Sequence, residues 1–252
     1  MTDLVIHLTD LHFGKITPTF NLDTARKRVE QIPEMIAGEA GADFDKTTIL
    51  MGGDCVDGTE IYPAQVATNS DSTVRQVAVA GEAVFQMAIK LNELTEAPVD
   101  IVGVLGNHGR AGKTSHPDSN FDAHLIYDLV LRAHYSEVDW LFVRNSCKTH
   151  EIVNVCGTKG LLAHAVAKHT GTPAMQVKIL ATVLEYDVDW IAAGHYHVPG
   201  HTVVEGRDYF AGGSLSGPDL MGQKISRYEP AAQTYWKVDE GRGAHGFGIL
   251  RW

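Results

Sequence analysis

The sequence predicts a layered α/β sandwich. Its first half alternates short apolar runs with amphipathic stretches of helical period, and its second half is mostly strand-length runs joined by short turns. No linker, internal repeat or low-complexity tract divides the 252 residues. Open α/β and sandwich folds reach that length undivided, so a single domain over residues 1–252 is expected.

In chain order, Leu4 to Leu8 reads as a strand, apolar apart from His7, with Asp10 and His12 just beyond it. From Asp23 to Ala40, Val29, Ile32, Met35 and Ile36 recur at helical spacing. Asn21 or Asp23 is the N-cap, and Pro33 either kinks this helix or marks a late first turn. Thr47 to Met51 is the second strand and stops at Gly52-Gly53-Asp54. A long helix is expected over Thr73 to Glu93, then a strand over Val99 to Leu105 that runs into Gly106-Asn107-His108-Gly109-Arg110. Phe121 to Ala133 is amphipathic, and His124 and His134 read as surface residues. Trp140 to Arg144, Thr149 to Val155 and Thr158 to Ala163 read as strands, with His164 at the end of the last. A helix over Ala174 to Tyr186 precedes a strand over Asp189 to Ala193, which runs into Gly194-His195-Tyr196-His197. Thr202 to Glu205 and Arg207 to Ala211 form a hairpin at Gly206. Gln233 to Val238 is the last strand, and the Gly-rich tail to Trp252 either finishes the second sheet or covers an edge.

The formal charge of −10 argues against a broad electropositive surface for duplex DNA, so a phosphate-bearing ligand must be captured locally by metals or a few cations. Three cysteines, none in a CxxC pair, suggest neither a disulfide framework nor a zinc finger. The amino terminus lacks a basic region followed by a long apolar run, so a cytoplasmic protein without membrane spans is expected.

The chemistry gathers at strand ends. Asp10 and His12, two apart in an extended or gently turning segment, point to one side and can meet at one ion. The glycines before Asp54 carry no Cβ, so backbone and ligand can approach closely there. With Asn107/His108, His164 and His195/His197, acids, an amide and imidazoles recur where strands stop, as a buried two-metal site requires.

The ordered motifs Asp10-x-His12, Gly53-Asp54-x-x-Asp57-Gly58, Gly106-Asn107-His108, His164 and Gly194-His195-x-His197 resemble those of the calcineurin-like metallophosphoesterase superfamily, over about residues 4 to 215. The resemblance implies a four-layer α-β-β-α sandwich of two mixed β-sheets flanked by helices, with two divalent metal ions above the sheet edges. It implies that Asp10, His12 and His197 hold the first metal, that Asp54 bridges, and that Asn107, His164 and His195 complete the second site. One carboxylate can span ions roughly 3.5–4 Å apart, and a bridging water acidified by both cations would attack phosphorus in line. His108 is then the leaving-group acid or a phosphate binder. Family members commonly carry an acid after this histidine that orients the ring, whereas this chain has Gly109. Arg110 is either a bidentate phosphate clamp or a solvated loop cation. Asp57 anchors its loop or bonds an imidazole, His169 and His201 are spare ligands, Cys55 is a small buried side chain, and Gly212 to Gly217 resembles a segment that lines the substrate cleft.

The function implied is hydrolysis of phosphodiesters of nucleotides or nucleic acid, with single-stranded nucleic acid the polymer substrate and nuclease action included. The alternatives are a phosphatase on a small molecule or phosphoprotein and a non-catalytic scaffold. Mixed N/O ligands suit Mn, Fe, Zn, Co or Ni, with manganese the first choice.

Overall fold

The structure, a computed structural model, describes residues 1–59, 61, 62, 65, 69, 71–113, 116–144, 147–167, 172–218 and 229–252. The first part of the chain gives β1 (Thr2–Leu8), α1 (Leu22–Glu39), β2 (Lys46–Met51), α2 (Thr73–Thr95), β3 (Val99–Gly103), α3 (Phe121–Tyr135) and β4 (Leu141–Arg144). It continues with β5 (His150–Val155), β6 (Thr158–Ala163), α4 (Pro173–Tyr186), β7 (Trp190–Ala193), β8 (Gly200–Val204), β9 (Arg207–Ala211), β10 (Ala232–Asp239) and β11 (Gly243–Arg251).

The strands form a six-stranded sheet in the order β11-β10-β1-β2-β3-β4 and a five-stranded sheet in the order β5-β6-β7-β9-β8. Both are mixed. β1 to β4 run parallel and β10 and β11 antiparallel in the first, while β6, β7 and β9 run parallel between antiparallel β5 and β8 in the second.

The period of two along each strand sorts its side chains into layers. On β1, Leu4, Ile6 and Leu8 pack with apolar residues of α1, α2 and α3, such as Val29, Val84 and Leu125, while Val5 faces the other sheet with Leu50, Trp190, Phe210 and Trp236. On β7 the alternation repeats: Trp190 and Ala192 join the contact between the sheets, and Ile191 and Ala193 pack with Ile179 and Val183 of α4. These three apolar clusters are the contacts of a four-layer α-β-β-α sandwich.

Asn21 is the N-cap of α1, accepting from the Thr24 N–H at 2.9 Å, and Pro33 lies inside the helix rather than in its first turn. β3 stops short of the expected Leu105 because the backbone changes partners: Leu105 N–H donates to the Lys148 carbonyl at 2.8 Å. The Gly-rich tail does not finish the second sheet. It forms β11 and covers the β10 edge of the first, where Gly248 lies opposite Tyr235 and leaves room for its ring.

Candidate metal centre

The carboxyl ends of β1, β2 and β3 in one sheet and of β6 and β7 in the other open on a common rim. Beyond β1 and β2 the pairing continues into the loops. Asp10 N–H donates to the Gly53 carbonyl, and His12 N–H to the Asp54 carbonyl, both at 3.0 Å. The loops bearing Asp10 and Asp54 are therefore zipped to each other by backbone alone.

Asp10, His12 and His197 offer ligand atoms that all lie within 4.8 Å of one another, and so do Asp54, His164 and His195. In the first group His197 Nε2 is 3.1 Å from Asp10 Oδ1 and 3.2 Å from His12 Nε2. In the second, His164 Nε2 is 3.2 Å from Asp54 Oδ2 and 3.0 Å from Asn107 Oδ1. One backbone donor stitches the groups together, His195 N–H reaching Asp10 Oδ2 at 2.8 Å, and His108 N–H anchors Asp54 Oδ1 at 2.7 Å. All seven residues expected as metal ligands are thus brought to one place.

Five of them, Asp10, His12, Asp54, His195 and His197, have positive φ, between 48° and 70°. Asp and His tolerate this left-handed region better than most side chains, but such a residue still costs on the order of 1–3 kcal/mol. The cost is accepted where each strand end turns sharply enough to aim its side chain across the rim.

A residue that the motifs did not reveal organises the Asp54 turn. Asp122, buried in the first turn of α3, accepts four backbone N–H groups: Asp54 and Gly106 at 3.0 and 2.8 Å on Oδ2, and Cys55 and Val56 at 3.0 and 3.4 Å on Oδ1. The two loops it joins touch directly. Gly53 has φ of 84°, and a Cβ there would sit 2.6 Å from Gly106 N, while a Cβ on Gly106 would overlap Asp54.

The same corner explains the departure at Gly109. A side chain there would meet Asn120 Oδ1 at 2.6 Å, and that oxygen caps α3 through the Asp122 N–H. A side chain after His108 would crowd this corner, and the partner of His108 comes from elsewhere: Asp57 Oδ1 lies 3.0 Å from Nδ1 of both His108 and His12. His12 therefore presents one ring nitrogen to His197 and the other to Asp57. We read the His12, Asp57 and His108 group as a hydrogen-bonded trio in which one carboxylate orients two rings.

The electrostatics are those of a cation site. Asp10 and Asp54 are fully buried, and among the described residues the only side chains in ion-pair distance of them are imidazoles. Burial opposes their charge, yet the neighbouring His197 and His164 respectively hold the two carboxyls well below the usual range. Burial likewise disfavours the His164 imidazolium, but the Asp54 carboxylate outweighs it and pushes the pKa up to about 10. Burial, helped by Lys15, lowers His12 to about 4. Burial also lifts Asp122, with Asp54 beside it, to about 6. For His108 the desolvation is overcome by Asp57 and Asp54, and its pKa is raised. Two buried carboxylates, imidazole nitrogens facing each other and an amide oxygen are a donor set that fits divalent cations.

Arg110 is half-buried, and its Nε donates to the Asn107 carbonyl at 2.9 Å, so it braces the backbone of that loop. His201 pairs with Asp208 at 2.7 Å on the β8–β9 hairpin, with its ring stacked on Phe210. His169 lies outside the described residues. His124 and His134 are exposed. Cys55 is buried, and burial together with Asp122 and Asp54 holds its thiol well above its ordinary pKa. The Gly212 to Gly217 segment does not line a cleft at Ser214, Leu215 and Ser216, which are buried. Ser214 Oγ and Leu215 N–H instead donate to the Asp10 carbonyl, both at 3.1 Å, and brace the turn from below.

A family model, calcineurin-like phosphoesterase, matches residues 4–199. The chain belongs to that family. Among solved structures, an archaeal phosphodiesterase is 13% identical, with 99% of each chain covered and a TM-score of 0.48. Zinc-bound Vps29 from Entamoeba histolytica is 12% identical, with 98% of each chain covered and a TM-score of 0.47. A conserved predicted phosphoesterase from Streptococcus pneumoniae TIGR4 is 13% identical over 100% of this chain and 99% of the other, with a TM-score of 0.43. No curated protein matches. As a calcineurin-like phosphoesterase the chain carries His and Asp clusters placed to hold a metal ion, and among the described residues no helix is long and apolar enough to cross a membrane.

Proposed function

We propose that this chain is a hydrolase of phosphodiesters, those of nucleotides or nucleic acid, and that it works with two divalent cations. The reading rests on one observation: Asp10, His12 and His197 converge beside Asp54, His164 and His195, with Asn107 against His164. Asp10, His12 and His197 would hold one cation, Asn107, His164 and His195 the other, and Asp54 both. Once bound, the cations would acidify water and offset charge developing on the phosphoryl oxygens.

The chain's own groups supply the rest. Asp57 fixes the His108 ring through Nδ1, which leaves Nε2 to carry a proton to the departing oxygen. Its backbone N–H on Asp54 Oδ1 keeps that histidine in register with the bridging carboxylate. Arg110 steadies the carbonyl of Asn107 and so the loop that carries His108.

Manganese is the first metal to test. Metal-stripped protein should take up two equivalents, and His195→Ala one. The manganese-loaded protein should hydrolyse bis-p-nitrophenyl phosphate faster than p-nitrophenyl phosphate. Monoester turnover faster by about tenfold (about 1.4 kcal/mol in barrier) would reverse the substrate class, and a protein that binds no metal would end the proposal.

A further inference from the structure

We infer that the cleft between the β5–β6 hairpin and α4 is the subsite for the substituent that a phosphodiester keeps after cleavage, and that it is shaped for a nucleoside. This rests on the phosphodiesterase reading above and adds the residues that choose the substrate.

The cleft, about 450 Å³, is walled at one end by Asn107 and His164 of the metal rim and runs from there to α4. That volume lies within the roughly 300–1,000 Å³ of small-ligand pockets. α4 contributes Lys178, Thr182, Glu185 and Tyr186, spaced i, i+4, i+7 and i+8, so that one helical face lines it. At about 1.5 Å per residue the lined length is roughly 12 Å, the reach of one nucleoside unit. Apolar wall comes from Leu161 and Val166 on the second sheet's side. The aromatic part is a pair: the His150 and Tyr186 rings meet edge to face, with centroids 5.2 Å apart at 63°. Lys178 and Glu185 set a cation and an acid on the same face, a donor and an acceptor for the polar edge of a base or sugar.

The position of the cleft gives it its role. His108, which we cast as the proton donor to the leaving group, lies outside the cleft wall and packs on Tyr62, with ring centroids 4.8 Å apart, while the Tyr62 hydroxyl accepts from Asn107 Nδ2 at 2.8 Å. His164 opens onto the cleft instead. A diester has one substituent for each flank, whereas a monoester has only one. Water oxygen bonds to phosphorus, the ester bond on the His108 side breaks, and the departing oxygen takes a proton there. The group in the cleft stays on the product as a monoester.

The test compares two diesters with the same leaving group, the p-nitrophenyl ester of thymidine 5′-monophosphate and methyl p-nitrophenyl phosphate, on the manganese-loaded protein. The thymidine ester should be preferred at least thirtyfold in kcat/KM, chiefly through KM. Thr182→Trp, which fills the cleft, and Tyr186→Leu, which removes the ring but keeps apolar volume, should each cut that preference at least tenfold. Two substrates within threefold of each other, or a preference untouched in both folded variants, would overturn the subsite while leaving the phosphodiesterase reading intact. If no diester is hydrolysed, that reading falls and the cleft is judged by binding alone. Thymidine 5′-monophosphate titrated into metal-stripped, isotope-labelled protein should shift the α4 amides around Thr182 and Glu185 in the wild type and not in Thr182→Trp. Shifts confined to other regions, or none, would overturn it.

Discussion

The Asp122 carboxylate stands behind Asp54 and takes its backbone N–H at 3.0 Å, so the residue proposed to bridge two cations is oriented by an acid outside the groups that would hold them. Asn in place of Asp122 would keep the volume and turn an NH₂ group toward N–H donors. Asp122→Asn should weaken metal binding about 10–100-fold, the usual cost of losing a group that orients a ligand. Chelator competition on stripped protein measures this, and unchanged affinity would mean the turn is held without that carboxylate.

Asp57 plays the corresponding part for His108. In Asp57→Asn the neutral amide no longer favours the imidazolium, so His108 loses its proton at lower pH. The basic limb of the kcat profile should move to lower pH, and kcat should fall about 10²–10⁴-fold, the range of a general acid. A profile with the wild-type basic limb would remove His108 from the proposed role.

The metal-free protein should be most stable near its histidines' ordinary pKa of 6.5, because His164 and the pair His7 and His12 pull in opposite directions. His164, raised to about 10, contributes stability that is complete below about 6.5 and is lost as pH climbs toward 10. His7 and His12, lowered by burial to about 4, stay neutral while the unfolded chain takes up protons, so stability falls as pH drops from about 6.5 toward 4. Melting temperatures of EDTA-treated protein across this range check the shape. Since a cation must displace the His164 proton, affinity at that site should rise about tenfold per pH unit on the way to that pKa; a pH-independent affinity would contradict it.

Restoring the acid usual in the family after His108 should harm this chain. Gly109→Asp would press on Asn120 Oδ1, the cap of α3, and should destabilise by about 1–3 kcal/mol with no gain in turnover. Urea unfolding of the variant measures the first part. A more active, equally stable variant would show that the corner can open.

Most strands, and the acids and imidazoles at their ends, were legible because apolar runs that stop at glycine and aspartate give themselves away at short range. What spacing alone could not supply was that His164, His195 and His197, from one sheet, would face Asp10 and Asp54 of the other. Only the order of the motifs suggested that. Asp122 escaped notice because an acid in the first turn of a helix is ordinary, and its four backbone partners come from two distant loops. The tail that forms β11 was read only as far as two alternatives, one of them the edge cover it is, for a different reason. Its glycines and half-buried positions erase the period of two, and it is a strand only because β10 offers an edge.

The contact between the sheets has a consequence for the rim. Phe210 stacks on Trp236 at 4.0 Å, and Trp190 meets the same indole edge-on at 5.7 Å, fastening the slab that carries Asp10 and Asp54 to the slab that carries the three histidines. Cation affinity is therefore a gauge of how the slabs are aligned: loading the rim rivets the sandwich shut, and trimming an indole well below it should loosen the grip on metal without touching a single ligand.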